Sequence, residues 1–188
     1  MGRWEPNARG RLEQAAQELY AERGFEQTTA AEIAERAGLT KRTFFRHFTD
    51  KCDVLFADAD AMRDLIVKAA AETPESLAPL AAVAAGIQAG AAVLQEFQER
   101  ARNRHVVIAA TPELRERELA ELAEIAAALA ETLRGRGVGD RTASLAAETG
   151  IAVFKVTFGY WLEDAGQPEL PQLLRDAFDE LKVVTAGA

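Results

Sequence analysis

Just after Thr40 the chain brings together Lys41, Arg42, Thr43, Arg46 and His47, with Phe44 and Phe48 at four-residue spacing. On a helix that spacing turns the two phenylalanines to one side and leaves the polar residues on an exposed face. Lys, Arg, Thr and His offer hydrogen-bond donors, the chemistry that meets phosphate oxygens and the acceptor edges of bases. Catalytic chemistry is poorly supplied by comparison. The chain has two histidines and one cysteine, Cys52, so it can form neither an intrachain disulfide nor a Cys-based zinc cluster. It contains no phosphate-binding glycine loop, no nucleophile elbow and no HExxH pair. An enzyme is not expected, nor any metal or cofactor.

Such donors read a duplex only when a second element fixes their angle. Thr29, with Glu32 three residues on, matches a capping box opening a short helix that runs to Ala37. Gly38 stops it, and Thr40 caps the next helix, about 41–48. Ile33, Ala37, Leu39, Phe44 and Phe48 form a shared core, and Ala34 is small where two helices cross. The turn Gly38-Leu39-Thr40 has the length of a helix-turn-helix. Upstream, Leu12, Ala15, Ala16, Leu19 and Tyr20 share a face of a first helix, which Gly24 ends and Phe25 plugs.

Charge is distributed in agreement with this. The net charge is −8, yet residues 1–51 hold nine Lys/Arg against eight Asp/Glu, and the remainder thirteen against twenty-two. A near-neutral head can present a basic face while an acidic body is repelled by DNA. Neither a signal peptide nor a run approaching the ~20 apolar residues of a membrane span is found, so a cytoplasmic location is expected.

The ordered set Gly24-Phe25, Thr28-Thr29, Ile33-Ala34, Ala37-Gly38 and Thr43-Phe44-Phe45-Arg46-His47-Phe48 resembles the DNA-binding domain of TetR-family transcriptional regulators. The resemblance implies an all-helical homodimer that binds operator DNA and answers to a small ligand, most often as a repressor. It also implies roles. Thr28 and Thr29 would hold phosphate, Thr40, Lys41, Arg42 and Thr43 would face bases or adjacent backbone, and His47 and Lys51 would hold phosphates. Phe45 stands where the family usually has tyrosine, which removes one phosphate hydrogen bond. Cys52 stands where glutamate or another helix former is common. The stretch 104–118 is similar to an actinobacterial subgroup that includes mycofactocin-system regulators, which implies an acyl-CoA-like effector.

The expected organisation is a helix-turn-helix DNA-binding domain, 1–51, and a helical ligand-binding and dimerisation domain, 52–188. Thr49 and Asp50 are expected to cap one long fourth helix carrying Leu55, Ala59, Met62, Ile66 and Ala69 on one face. Later helices are expected from about Pro79, over 103–110, after Thr111-Pro112, and from Asp140 until Gly166 and Pro168; the last carries Leu170, Leu174, Phe178 and Leu181. Met62, Ile66, Ile87, Phe97, Phe154 and Phe158 can line an apolar pocket, with Arg104 and His105 as polar contacts; the same apolar set also reads as plain core. The segment 145–162 is apolar nearly all round, so a partner subunit is expected against one side, through Val153, Val156, Tyr160 and Trp161 with Leu174 and Phe178 of the last helix. A redox switch at Cys52, or a small helical enzyme, are the alternatives.

Overall fold

The computed structural model describes residues 7–163 and 168–186, and it is all-helical over that span. The helices are α1 (Ala8–Arg23), α2 (Ala30–Arg36), α3 (Lys41–His47), α4 (Ala59–Ala71), α5 (Pro79–Glu96), α6 (Gln98–Ala110), α7 (Pro112–Gly135), α8 (Asp140–Glu163) and α9 (Leu170–Thr185). Among the described residues no single helix is long and apolar enough to cross a membrane. Of the residues expected to end α8, Gly166 lies outside the described residues.

Local chemistry explains most boundaries. Gly24, at φ 85°, donates its N–H to Tyr20 O and stops α1. Thr29 Oγ1 accepts from Glu32 N at 3.3 Å while the Glu32 carboxylate accepts from Thr29 N at 2.9 Å, so the capping box forms as expected. Gly38 takes φ 66°, a left-handed conformation that would strain any side chain.

The expected long fourth helix is instead broken. A 3-10 turn covers Asp53–Phe56, and α4 begins at Ala59. Side chains hold the break. Asp50 Oδ1 accepts from Asp53 N at 2.9 Å, and Asp53 Oδ2 accepts from Thr49 N at 2.8 Å. Arg104 Nε donates to Leu55 O at 2.8 Å, and Arg9 Nη2 donates to Ala57 O. Two carbonyls that a continuous helix would pair with N–H groups four residues on are thus also bound by arginines. The expected short piece at 103–110 is the second half of α6.

Contacts divide the chain into two compact units. The first comprises 1–58 with Glu99–Arg117, so the unit that carries the head is larger than residues 1–51. Its core joins Leu12, Leu19, Ile33, Phe44, Phe48 and Phe56 to Val107, Ile108 and Leu114 of the returning segment. The second comprises Ala59–Gln98 with 118–188. In it α4 packs on α5, and α5, α8 and α9 pack on one another, burying Ile66, Val83, Ile87, Trp161, Leu170 and Leu174. Glycines permit these close approaches. A Cβ on Gly86 would lie 2.5 Å from Ile66 O, and one on Gly90 would lie 3.0 Å from Ile66 Cγ1 and 3.2 Å from Met62 Sδ.

This packing reverses an ordinary rule. Inside a helix, Gly→Ala gains up to about 1 kcal/mol of propensity. At Gly86 the added methyl meets backbone, and overpacking costs about 1–3 kcal/mol. Gly86→Ala is expected to lower the melting temperature by several degrees in a circular-dichroism melt; a raised midpoint would show that α4 and α5 are not so close.

Candidate nucleic-acid interface

The interface rests on how α3 is seated. Phe44 is wholly buried and Phe48 nearly so, their ring centroids 5.5 Å apart. With those rings inward, Thr40, Lys41, Arg42, Phe45, Arg46 and His47 are exposed, and Thr43 is half-buried. Thr40 Oγ1 caps the helix by accepting from Thr43 N at 3.1 Å, and the two threonine hydroxyls lie 3.0 Å apart. The ring of Phe45 is half exposed, and the Lys41 ammonium lies 5.8 Å from its centroid.

The cations of α3 differ from their neighbours. Elsewhere in the same unit, Arg36 pairs with Glu18 and Glu22, Arg23 with Glu32, Arg100 with Glu13 and Asp58, and Arg117 with Asp53. Among the described residues no carboxylate lies within ion-pair distance of Lys41, Arg42 or Arg46; Arg46 Nη2 lies 3.5 Å from His47 Nε2. Three cations on 1.5 turns of helix, with no internal counter-ion, present an open site to an outside anion.

Other expected contacts are engaged within the chain. Thr28 is buried, and its hydroxyl donates to Gly24 O at 2.9 Å. The Thr29 hydroxyl lies 2.7 Å from Glu32 Oε2 as part of the cap. Lys51 Nζ donates to Phe25 O at 2.8 Å and lies 4.1 Å from the Phe25 ring centroid. At Cys52, burial and then the Asp50 carboxylate push the thiol up from its ordinary value. A redox-active thiolate needs the opposite shift.

The residues expected to meet a ligand are divided between the two units. Met62 and Ile66 close on α5 at Gly90, and Ile87 lies where α5 meets Gly150 of α8. Phe154 and Phe158 stack at 5.3 Å along α8. Phe97 is half exposed. Arg104 and His105 belong to the first unit, where the Arg104 guanidinium lies 4.9 Å from the Phe56 ring centroid; Arg117 lies 4.6 Å from the same centroid. Sequence reading missed this clamp and the Arg117–Asp53 pair of 2.7 Å. Burial acts to raise the Asp53 carboxyl, but bonds from Arg117 and Thr49 outweigh it and hold the group below its ordinary value.

The expected interface residues also separate. Trp161 and Leu174 are fully buried inside the second unit and Phe178 nearly so. Val156 and Tyr160 are exposed by 62% and 64%, and Leu145 by 62%. With exposed Ala152 these make one stripe along α8, while Val153 is half-buried at its edge.

A capped two-helix motif with an outward cationic second helix defines a protein of the helix-turn-helix class. Residues 13–57 match the family described as "Bacterial regulatory proteins, tetR family", and residues 77–186 match "MftR C-terminal domain". The chain belongs to the TetR family and carries a C-terminal domain of the MftR type. It is 35% identical over 81 residues to the HTH-type transcriptional regulator TcmR of Streptomyces glaucescens, a match covering 43% of this chain and 36% of that protein. The chain thus spans about a third of that relative's length. Its fold is shared with the fatty acid degradation regulator FadR from Bacillus halodurans, at TM-score 0.68 and 16% identity over 99% of this chain and 100% of the other. It is also shared with Thermus thermophilus FadR, solved in complex with lauroyl-CoA, at TM-score 0.56 and 23% identity over 96% of each chain.

The α3 seating generates a direct test. Arg42→Ala and Lys41→Ala are each expected to cost about 1–3 kcal/mol in duplex binding. Neither loses an internal ion pair, so thermal stability should not change. Fluorescence anisotropy with a duplex selected from a random pool measures the effect; unchanged affinity in both variants would remove α3 from the interface.

Proposed function

We propose that the protein is a cytoplasmic homodimeric repressor that places two α3 helices in successive major grooves of an operator and releases it on binding an apolar, acyl-CoA-like effector. The observation that carries the DNA part is the row of cations on α3 without internal counter-ions. Thr40, Lys41, Arg42 and Thr43 face bases or adjacent backbone, Phe45 packs against the groove wall, and Arg46 and His47 hold phosphates.

The exposed stripe of Leu145, Ala152, Val156 and Tyr160 supports dimerisation through α8. Apolar side chains spaced along one helix face are buried when two copies pair across a two-fold axis. The two α3 helices then meet grooves about 34–36 Å apart, or a multiple of that distance.

The effector site is placed in the second unit, with Met62, Ile66, Ile87, Phe154 and Phe158 as its apolar lining. Met62 is a side chain that repacks readily, and it closes on Gly90 of α5. An acyl chain entering there would displace α4, which begins one residue after the head unit ends at Asp58. The lauroyl-CoA complex of a structural neighbour supports this chemical class. Release requires that the effector bind the two states with different affinity, and typical coupling is a factor of about 5–150.

Two measurements test the proposal. Val156→Asp should convert a dimer to a monomer in sedimentation at micromolar concentration, whereas a wild-type monomer would contradict the assembly. Acyl-CoAs of increasing chain length should release the duplex with affinity rising with length. Release by none of them, but by a compact polar or cationic compound, would overturn the effector class.

A further inference from the structure

Trp161 of α8 has no exposed surface, yet its indole Nε1 has no hydrogen-bond partner among the described residues. An indole N–H is a donor only, so nothing but an acceptor satisfies it. Buried polar groups are nearly always paired, because an unpaired donor keeps the full cost of leaving water. A phenylalanine would supply an aromatic ring without that cost. The hydroxyl one turn earlier on the same helix is already engaged: buried Thr157 donates to Val153 O at 2.8 Å. The indole also closes an aromatic series along α8. Phe154 and Phe158 stack at 5.3 Å, and the Phe158 centroid lies 5.6 Å from that of Trp161. The series runs inward, from half-buried Phe154 and Phe158 to wholly buried Trp161.

We propose that Trp161 is the polar anchor of the effector site: its Nε1–H donates to an acceptor oxygen of the effector, and Phe154 and Phe158 flank the apolar part beside that oxygen. The proposal rests on the effector site placed in the second unit above and adds a rule of selectivity to it. In an acyl thioester the acceptor is the carbonyl oxygen. A ligand of the same shape without an acceptor leaves the indole donor unpaired, and the site discriminates against it for that reason. The apolar residues of the lining cannot make this distinction, because they offer no donor. Trp161 is therefore a specificity-determining residue, and its effect falls on the choice between ligands that differ by one oxygen.

The test uses the full-length protein with 15N in its indole nitrogens. The chain has two tryptophans, Trp4 and Trp161, so Trp4→Phe leaves one indole resonance, that of Trp161. Two pairs of probes differ within each pair by a carbonyl oxygen: lauroyl-CoA against the thioether S-dodecyl-CoA, and cyclohexanone against cyclohexane. In at least one pair the carbonyl probe should move the Trp161 indole proton downfield and bind about tenfold more tightly than its partner, the worth of one neutral hydrogen bond. Trp161→Phe should remove that preference and leave the carbonyl-free probe bound as before. An indole resonance moved downfield by neither carbonyl probe overturns the proposal, and so does a preference that survives in Trp161→Phe. The Trp4→Phe spectra decide the matter even where Trp161→Phe fails to fold. Cyclohexanone shifting the resonance while lauroyl-CoA does not bind supports the anchor and overturns the acyl-CoA class of effector. Lauroyl-CoA releasing a selected duplex with the indole unmoved by either carbonyl probe supports the effector class and overturns the anchor.

Discussion

The burial of Phe44 is the constraint on which the head depends. A helix of seven residues has little stability of its own, because nucleation is costly and few hydrogen bonds follow it. Tertiary packing must therefore hold α3, and Phe44 with Phe48 supplies it. Once those rings are inside, helical geometry leaves no choice about Arg42, Phe45 and Arg46: they face out. The Thr40 cap and the left-handed Gly38 fix where the helix begins. The cationic face is thus a consequence of core packing, and its charge stays available because, among the described residues, no carboxylate lies within ion-pair distance of Lys41, Arg42 or Arg46.

The segment 99–117 adds a second level of constraint within the same unit. Arg104 and Arg117 flank Phe56, and Arg100 bonds Glu13 of α1 and Asp58. Arginine suits such places because its planar guanidinium stacks on a ring while its N–H groups reach carbonyl or carboxylate. Arg104, expected as a polar contact of the pocket, donates to Leu55 O of the 3-10 turn.

Legibility in the sequence followed the range of the forces involved. Capping boxes, glycine stops and the Phe44/Phe48 spacing are local, so α2, α3 and their turn could be read directly. The broken fourth helix could not, because Arg9 and Arg104 reach Ala57 and Leu55, respectively, across 48 and 49 residues. The internal bonds of Thr28 to Gly24 O and of Lys51 to Phe25 O depend on side-chain direction, which the residue types alone do not carry. On α8 the two apolar sides were visible, but Trp161 was assigned to the outer one; the i, i+4, i+7 series through Leu145, Ala152, Val156 and Tyr160 was the signal that separates them. The effector lining remained a pattern of apolar residues, which carries no mark distinguishing a pocket from a core.

The proposed dimer presents two outward α3 helices, and hydroxyl-radical footprinting on a selected duplex tests that arrangement most directly. It predicts two protected tracts centred about 10 base pairs apart, or a multiple of one helical turn, on the same face of the duplex and related by two-fold symmetry. A single tract, or protection spread evenly along the duplex without regard to sequence, would contradict it.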